Sequence, residues 1–333
     1  MPNLGAAAWL LLRCASTIAA QAAMHNDEPR SGRRAGRRRR AGEQPMQLDL
    51  FEHSRDVMLR NDAVDALARH EPRAARAACE RLAEERPADE ALPALRALVE
   101  GVEGLGGAAI EDHDALARAW RAVEALRAPC ERLFRAQACQ WLAPLWEDLA
   151  ARARNLPLCA DAAPEHAAPL WLAAGNWSAA ARATEAIESW RRIPAPLAWM
   201  IEARLHLLGL QACWPLVAEL GWLAPARLDA LLHRSREPML AALVQAFDER
   251  FEGAGDTADA AWFAAWVLTE RPEVAEQAGA AWPARHEAPE RAFRTLLELI
   301  RLERQGRQRE IVERRKALRE LHPALFAAYM KTR

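Results

Sequence analysis

The chain has 333 residues, is 51% hydrophobic and carries a formal net charge of −1. Alanine, leucine, arginine and glutamate dominate, tyrosine occurs once and no long β-branched run is present, so the composition excludes a β-rich protein and points to an all-α one. Residues 1–45 hold eight Arg against three acidic residues, which leaves a mildly acidic body and excludes a general nucleic-acid binder, whose domain needs a basic face.

In chain order, the first segment, residues 1–24, is largely apolar, interrupted chiefly by Arg13 and Gln21, and seven arginines follow within residues 30–40. It has no basic start, its apolar core stops at Arg13, and an arginine near its middle opposes insertion in a bilayer. Three readings stay open: a disordered Arg-rich extension with translation starting at Met46, a membrane or export signal, or a basic tether to nucleic acid or anionic lipid. The six cysteines show neither C-x-x-C nor zinc-finger spacing, so they are read as small buried hydrophobes, with reduced thiols that point to a cytoplasmic location. The excess of arginine over lysine, 43 to 2, is the bias of a GC-rich coding sequence.

From residue 46 onward the pattern is helical, punctuated by Pro and Gly. Helices are expected near 47–69, 72–86, 89–100, 112–128, 130–151, 163–174, 178–192, 196–209, 212–222, 225–235, 237–252, 257–270, 272–281, 288–305, 308–321 and 323–331, with no strands. Residues 46–333 are read as one helical domain with a flexible break at the glycine-rich 101–109 and a second at 253–259.

The stretch AGNWSAAARATEAIESWRRIP, residues 174–194, sets the organisation. Its apolar positions Ala180, Ala183, Ile187 and Trp190 step by 3, 4 and 3, one helical stripe that must be buried. The short turn before it allows only an antiparallel partner, the helix with Leu170, Trp171 and Leu172. The pattern returns with Ala75, Cys79 and Leu82 before Pro87, and with Ile311 and Leu318 before Pro323. From the turn residue to the closing proline the distance is 17 in both, and 19 in the 175 unit.

This resembles the tetratricopeptide repeat family, through Gly175, Trp177 and Ala180, through Gly306 and Pro323, through Ala75 and Pro87, and through Trp171 in a first helix. The match departs from the family at Cys79, Thr184 and Arg315, which stand where it has an aromatic, and at Asp62 and Glu298, where a buried leucine is expected. The resemblance implies an α-solenoid of stacked antiparallel hairpins whose first helices line a concave groove for a peptide or helical partner. The lining positions it implies are Val57, Arg60, Val64, Leu172, Phe293, Leu296, Ile300, Glu303 and Arg304. Arg60, Arg304 and Glu303 are the expected binding residues, because an apolar groove needs charges to fix the direction of a ligand. An irregular hairpin solenoid and a closed helical domain without a groove are the alternative architectures.

No catalytic motif is found: G-x-S-x-G, a P-loop and H-E-x-x-H are all missing. The cluster Glu111-Asp112-His113-Asp114 holds metal-ligating types, yet adjacent residues diverge around a helix, and an N-cap at Asp112 or Asp114 explains it better. His206 and His233 are expected as core or boundary residues, and the tryptophans beyond Met46 as core. Arg76/Glu80 and Arg81/Glu85 read as pairs along a helix face, and the densely charged 301–320 as a polar terminal cap or a dock for an acidic partner. The expectation is a non-enzymatic protein-binding scaffold without cofactor or metal. A nucleic-acid or membrane-surface association through 30–40 and a closed structural domain are the alternatives.

Overall fold

The computed structural model describes residues 44–333 apart from residue 163; the Arg-rich extension, the 30–40 tract and Cys14 lie outside the described residues. Every regular element among the described residues is a helix, so the protein is all-α. The described chain falls into two compact units, the first running to His166 with Ala173–Gly175 added, the second made of Ala167–Leu172 and Asn176–Arg333.

The first unit holds α1 (Gln44–Ala68), α2 (Pro72–Glu85), α3 (Leu92–Glu103), α4 (His113–Ala125), α5 (Arg127–Phe134) and α6 (Ala138–Arg152). A proline in the first turn starts α2 and α3, where its missing N–H costs nothing. The α2 stripe of Ala75, Ala78, Cys79 and Leu82 is buried, as are Leu95, Leu98 and Val102 of α3. Trp141 Nε1 donates to the Leu67 carbonyl at 2.7 Å and ties α6 to the end of α1. The single helix expected over 130–151 is two helices, since Arg135 adopts φ +48°, a left-handed value that no helix propagates. Arg76 pairs with Glu103 on α3 rather than with Glu80, and Arg81 lies 3.9 Å from Asp62 on α1, so these charges join helices instead of decorating one.

The second unit takes all of α7 (Ala168–Ala173) but its last residue and continues through α8 (Trp177–Glu185), α9 (Pro194–Leu208), α10 (Trp214–Leu223), α11 (Pro225–Arg234) and α12 (Pro238–Arg250). It ends with α13 (Phe263–Glu270), α14 (Ala275–Ala278), α15 (Ala288–Gln305), α16 (Gln308–Leu321) and α17 (Pro323–Lys331). Its core runs from Leu197 and Ile201 on α9 through Trp214, Trp222, Phe247, Phe263 and Trp266 to Phe293, Leu296, Leu318 and Tyr329. The helix expected from 163 starts at Ala168, behind Pro164, and the helix expected over 178–192 stops at Glu185, with Ser189 left-handed at φ +56°.

The three turn positions of the sequence pattern share one conformation. His70, Gly175 and Gly306 are left-handed, at φ +53°, +74° and +70°. The next residue caps the following helix at φ/ψ of −99°/82° (Glu71), −88°/71° (Asn176) and −85°/68° (Arg307). The N–H groups of Glu71, Asn176 and Arg307 reach back to Ala66, Trp171 and Leu302 at 2.9, 2.9 and 3.1 Å, the outer bond of a Schellman motif. Five residues after each turn, Ala75, Ala180 and Ile311 are buried. His70 takes the left-handed conformation without being glycine; its ring stacks on Trp141 at 5.1 Å and its Nε2 lies 3.1 Å from the Trp141 carbonyl.

The 101–109 stretch, expected as a flexible break, is tied down by neighbouring residues. Its first three residues end α3, and the rest is pinned to α6 by Gly106 N–H to Asp148 (2.8 Å), Arg152 Nε to the Ala108 carbonyl (2.8 Å) and Ile110 N–H to the Arg152 carbonyl (3.1 Å). At 253–259 the Asp259 carboxylate accepts from the N–H groups of Ala254 and Gly255, and Asp256 from that of Ala258.

Candidate functional site

The implied groove positions divide by burial. Leu172, Phe293, Leu296 and Ile300 are buried, so they serve the core and cannot line an open wall. Val57 is exposed and Val64 half-buried on α1. Arg60 is spent on Asp89, at 2.6 Å, and holds that carboxyl below its ordinary pKa despite an opposing effect of burial. Glu303 is turned toward α17: it accepts from the Tyr329 hydroxyl and from Arg333 Nε (2.9 Å), with Arg315 Nη2 at 3.4 Å. Arg304, one residue on, is exposed and has no ion-pair partner among the described residues. Arg60 belongs to the first unit and the other two to the second, each in a separate setting.

The departures from the repeat pattern find local reasons. Cys79 and Thr184 are small core residues, and the Thr184 hydroxyl bonds the Ala180 carbonyl at 2.9 Å. Arg315 lies over the Tyr329 ring, 5.5 Å from its centroid, and donates to its hydroxyl at 3.1 Å. Glu298 pairs with Arg314 at 2.7 Å.

The other candidates also resolve. Asp112 caps α4 by accepting from the Ala115 N–H at 2.6 Å, while His113 Nε2 lies 3.0 Å from the Pro157 carbonyl. Among the described residues no three His, Cys, Asp or Glu side chains gather as a metal cage. Cys79, Cys130 and Cys213 are buried free thiols, and burial pushes Cys130 and Cys213 up to about 12, but Cys159 is only half-buried and Cys139 is disulfide-bonded, so the reading of every cysteine as a reduced, buried hydrophobe fails at these two. His206 and His233 are boundary residues, surface-exposed near the ends of α9 and α11, the His206 ring partly desolvated. His206 stacks on Trp177 at 3.8 Å, and His233 bridges α11 to Asp248 of α12. Trp141, Trp146, Trp199, Trp214, Trp222 and Trp266 are buried, whereas Trp282 is 48% exposed.

The openings among the described residues include one in each unit. In the first unit a cleft of about 330 Å³ between α3, α4 and α6 is floored by Ala97, Gly101, Ala119, Ala122 and Leu126. Of its three charged lining residues, Glu100, Asp148 and Arg152, the last two are paired with each other at 3.3 Å. In the second unit a groove of about 550 Å³ runs between the start of α15 and the end of α16. Its walls carry His286, Glu290, Arg291, Arg294, Glu298, Arg314 and Glu320, and Thr295, Ala317 and Leu321 complete the lining.

The rim of this second groove is built by buried carboxylates. Glu219 on α10, 4% exposed, takes two bonds from Arg191 (2.6 and 2.5 Å) and one from the Trp282 N–H (2.6 Å). Glu290, 1% exposed, accepts from the N–H groups of Ala284 (3.1 Å) and His286 (2.7 Å). Arg294 donates to the Ala281 carbonyl at 2.8 Å, and Arg191 stacks on Trp282 at 4.2 Å. The 279–287 loop is thus strapped at both ends, which sets His286 at the mouth. Arg314 is held by Glu298, while Arg291 stands exposed at the edge without an ion-pair partner among the described residues. Such a groove offers charge-assisted hydrogen bonds above a small apolar floor. Its signal in the sequence was the charged 301–320 run; the lining positions before 301 carried no motif.

The chain matches no protein-family model, no curated protein and no solved structure. Among the described residues no helix is long and apolar enough to cross a membrane.

Proposed function

We propose that the protein is a non-enzymatic scaffold that holds a peptide or helical segment of a partner, and that its hairpins belong to a tetratricopeptide-like solenoid. The observation that supports this most is the open groove between α15 and α16, whose lining mixes arginines with Ala317 and Leu321. A helix pair that leaves such a trough receives side chains of a ligand rather than a reacting small molecule. The recurrence of one turn conformation at His70, Gly175 and Gly306 supports the repeat reading.

The test is selection of peptides from an unbiased displayed library on the full chain, followed by affinity measurement with Ala317→Trp, which fills the floor, and Arg291→Glu, which alters only an exposed rim charge. Selected peptides should lose affinity on both variants while the circular dichroism of each stays that of the parent. Peptides that bind all three proteins equally place the ligand elsewhere and defeat the groove; a library that yields no binder defeats the scaffold reading.

A further inference from the structure

We infer that the α15–α17 end of the second unit is a docking surface for an acidic, leucine-bearing peptide segment of a partner protein. The inference rests on the scaffold reading and adds the chemistry of the ligand. Residues 288–333 contain twelve Arg and Lys against six Glu and no Asp, in a chain whose formal charge is −1. Four of the six glutamates are already engaged. Glu290 is buried near Arg294, Glu298 holds Arg314, Glu303 holds Arg315 and Arg333, and Glu310 holds Arg307. That leaves Arg291, Arg301 and Arg304 on α15 and Arg309, Lys316 and Arg319 on α16, all exposed and without an ion-pair partner among the described residues.

Their placement gives a direction. Arg309, Val312, Lys316 and Arg319 step by 3, 4 and 3, so they lie along one face of α16, opposite the buried Ile311 and Leu318. Val312 is 65% exposed in the middle of that face. The groove with Ala317 and Leu321 opens beside it on the α15 side. Cations around an apolar spot fit carboxylates that alternate with apolar side chains. A phosphate backbone fits less well: Glu313 and Glu320 are exposed among the cations, Phe293 and Tyr329 are buried and Phe326 is half-buried against the core, and residues 46–287 carry an excess of acidic over basic side chains.

The experiment uses the full chain and three fluorescein-labelled probes: a peptide of alternating Glu and Leu, the same peptide with Gln for Glu, and a single-stranded oligonucleotide. The Glu/Leu peptide should bind best, and its affinity should fall as salt rises through the physiological range. The triple variant Arg309→Glu/Lys316→Glu/Arg319→Glu should weaken it at least about tenfold. The corresponding Arg309→Lys/Arg319→Lys variant should retain binding, and Arg118→Glu, an exposed cation on α4, should leave it unchanged. Equal binding of the Gln peptide, tighter binding of the oligonucleotide, or an unaffected triple variant would each overturn the inference. So would salt-sensitive dimerisation lost in the triple variant without peptide binding, which would make a second copy the occupant. Neutral peptides selected from the library that ignore the triple variant would sink the acidic ligand and leave the scaffold reading standing.

Discussion

At the scale of single residues, the side chains that matter most are buried carboxylates fastened to a loop. Glu290 sits in the core and supplies the acceptor for the Ala284 and His286 N–H groups. Glu290→Ala strips both donors of a partner, so it should cost about 2–4 kcal/mol, read as a lower urea midpoint; Glu290→Gln keeps one acceptor oxygen and should cost about half as much. A Glu290→Ala protein as stable as the parent would show that the loop finds other acceptors. His233 makes a second residue-scale prediction. Its Nδ1 lies 3.0 Å from the Asp229 carbonyl and its Nε2 3.1 Å from the Asp248 carboxylate, so only the doubly protonated ring donates to both. Burial works against the charge, but the bonds to Asp229 and Asp248 and their charges lift the imidazole above its ordinary pKa. The stabilisation it gives is therefore complete below the unfolded value, about 6.5, and is lost as pH rises through the raised folded value. His166, His206 and His322 are shifted down, chiefly by burial, and act in the opposite sense. The informative quantity is thus the stability of the parent minus that of His233→Gln, which should shrink between pH 5.5 and 8. A difference that grows with pH would reverse the assignment.

At the scale of elements, the hairpin turn is the repeated object. Gly306 has φ +70° and open space where a Cβ would stand, so Gly306→Ala meets only backbone strain. It should lower stability by about 1–2 kcal/mol without altering the helical circular dichroism. An unchanged melting temperature would mean the turn rearranges freely. Most of this level was legible beforehand. The stripes at Ala75, Cys79 and Leu82 and at Ile311 and Leu318, and the prolines that open helices, are local signals with a period of 3.6. The errors came where a local pattern was crossed by something distant or conformational. Arg135 breaks an apparently continuous helix by a left-handed backbone, and Arg76 prefers Glu103 across the gap to α3 over Glu80 one turn away. Four of the groove positions transferred from the repeat family, Leu172, Phe293, Leu296 and Ile300, are buried for a related reason. Phe293, Leu296 and Ile300 do share a helix face, but that face is the core face of α15.

For the whole molecule, two compact units imply two cores that respond separately. Leu98 on α3 is fully buried in the first unit, so Leu98→Ala should cost about 2–5 kcal/mol there. Hydrogen exchange should then quicken in α1–α6 while α9–α17 keep their protection. An equal loss of protection in both would show a single cooperative block. The binding surface inferred on α15–α17 belongs to this scale too, because it depends on which glutamates the fold has already neutralised.

The amino-acid order by itself determined that this protein is helical, where most of its helices begin and end, and that His70, Gly175 and Gly306 are turn positions. Those are decisions of neighbouring residues, made by periodicity, proline and the left-handed turn. Only the tertiary structure decided that Glu303 faces Tyr329 while Arg304 faces water, that the described chain divides around 166–176, and that six cations of α15 and α16 are left without ion-pair partners among the described residues. Each of these depends on which helix packs against which, and burial and ion pairing between segments distant in sequence have no local signature.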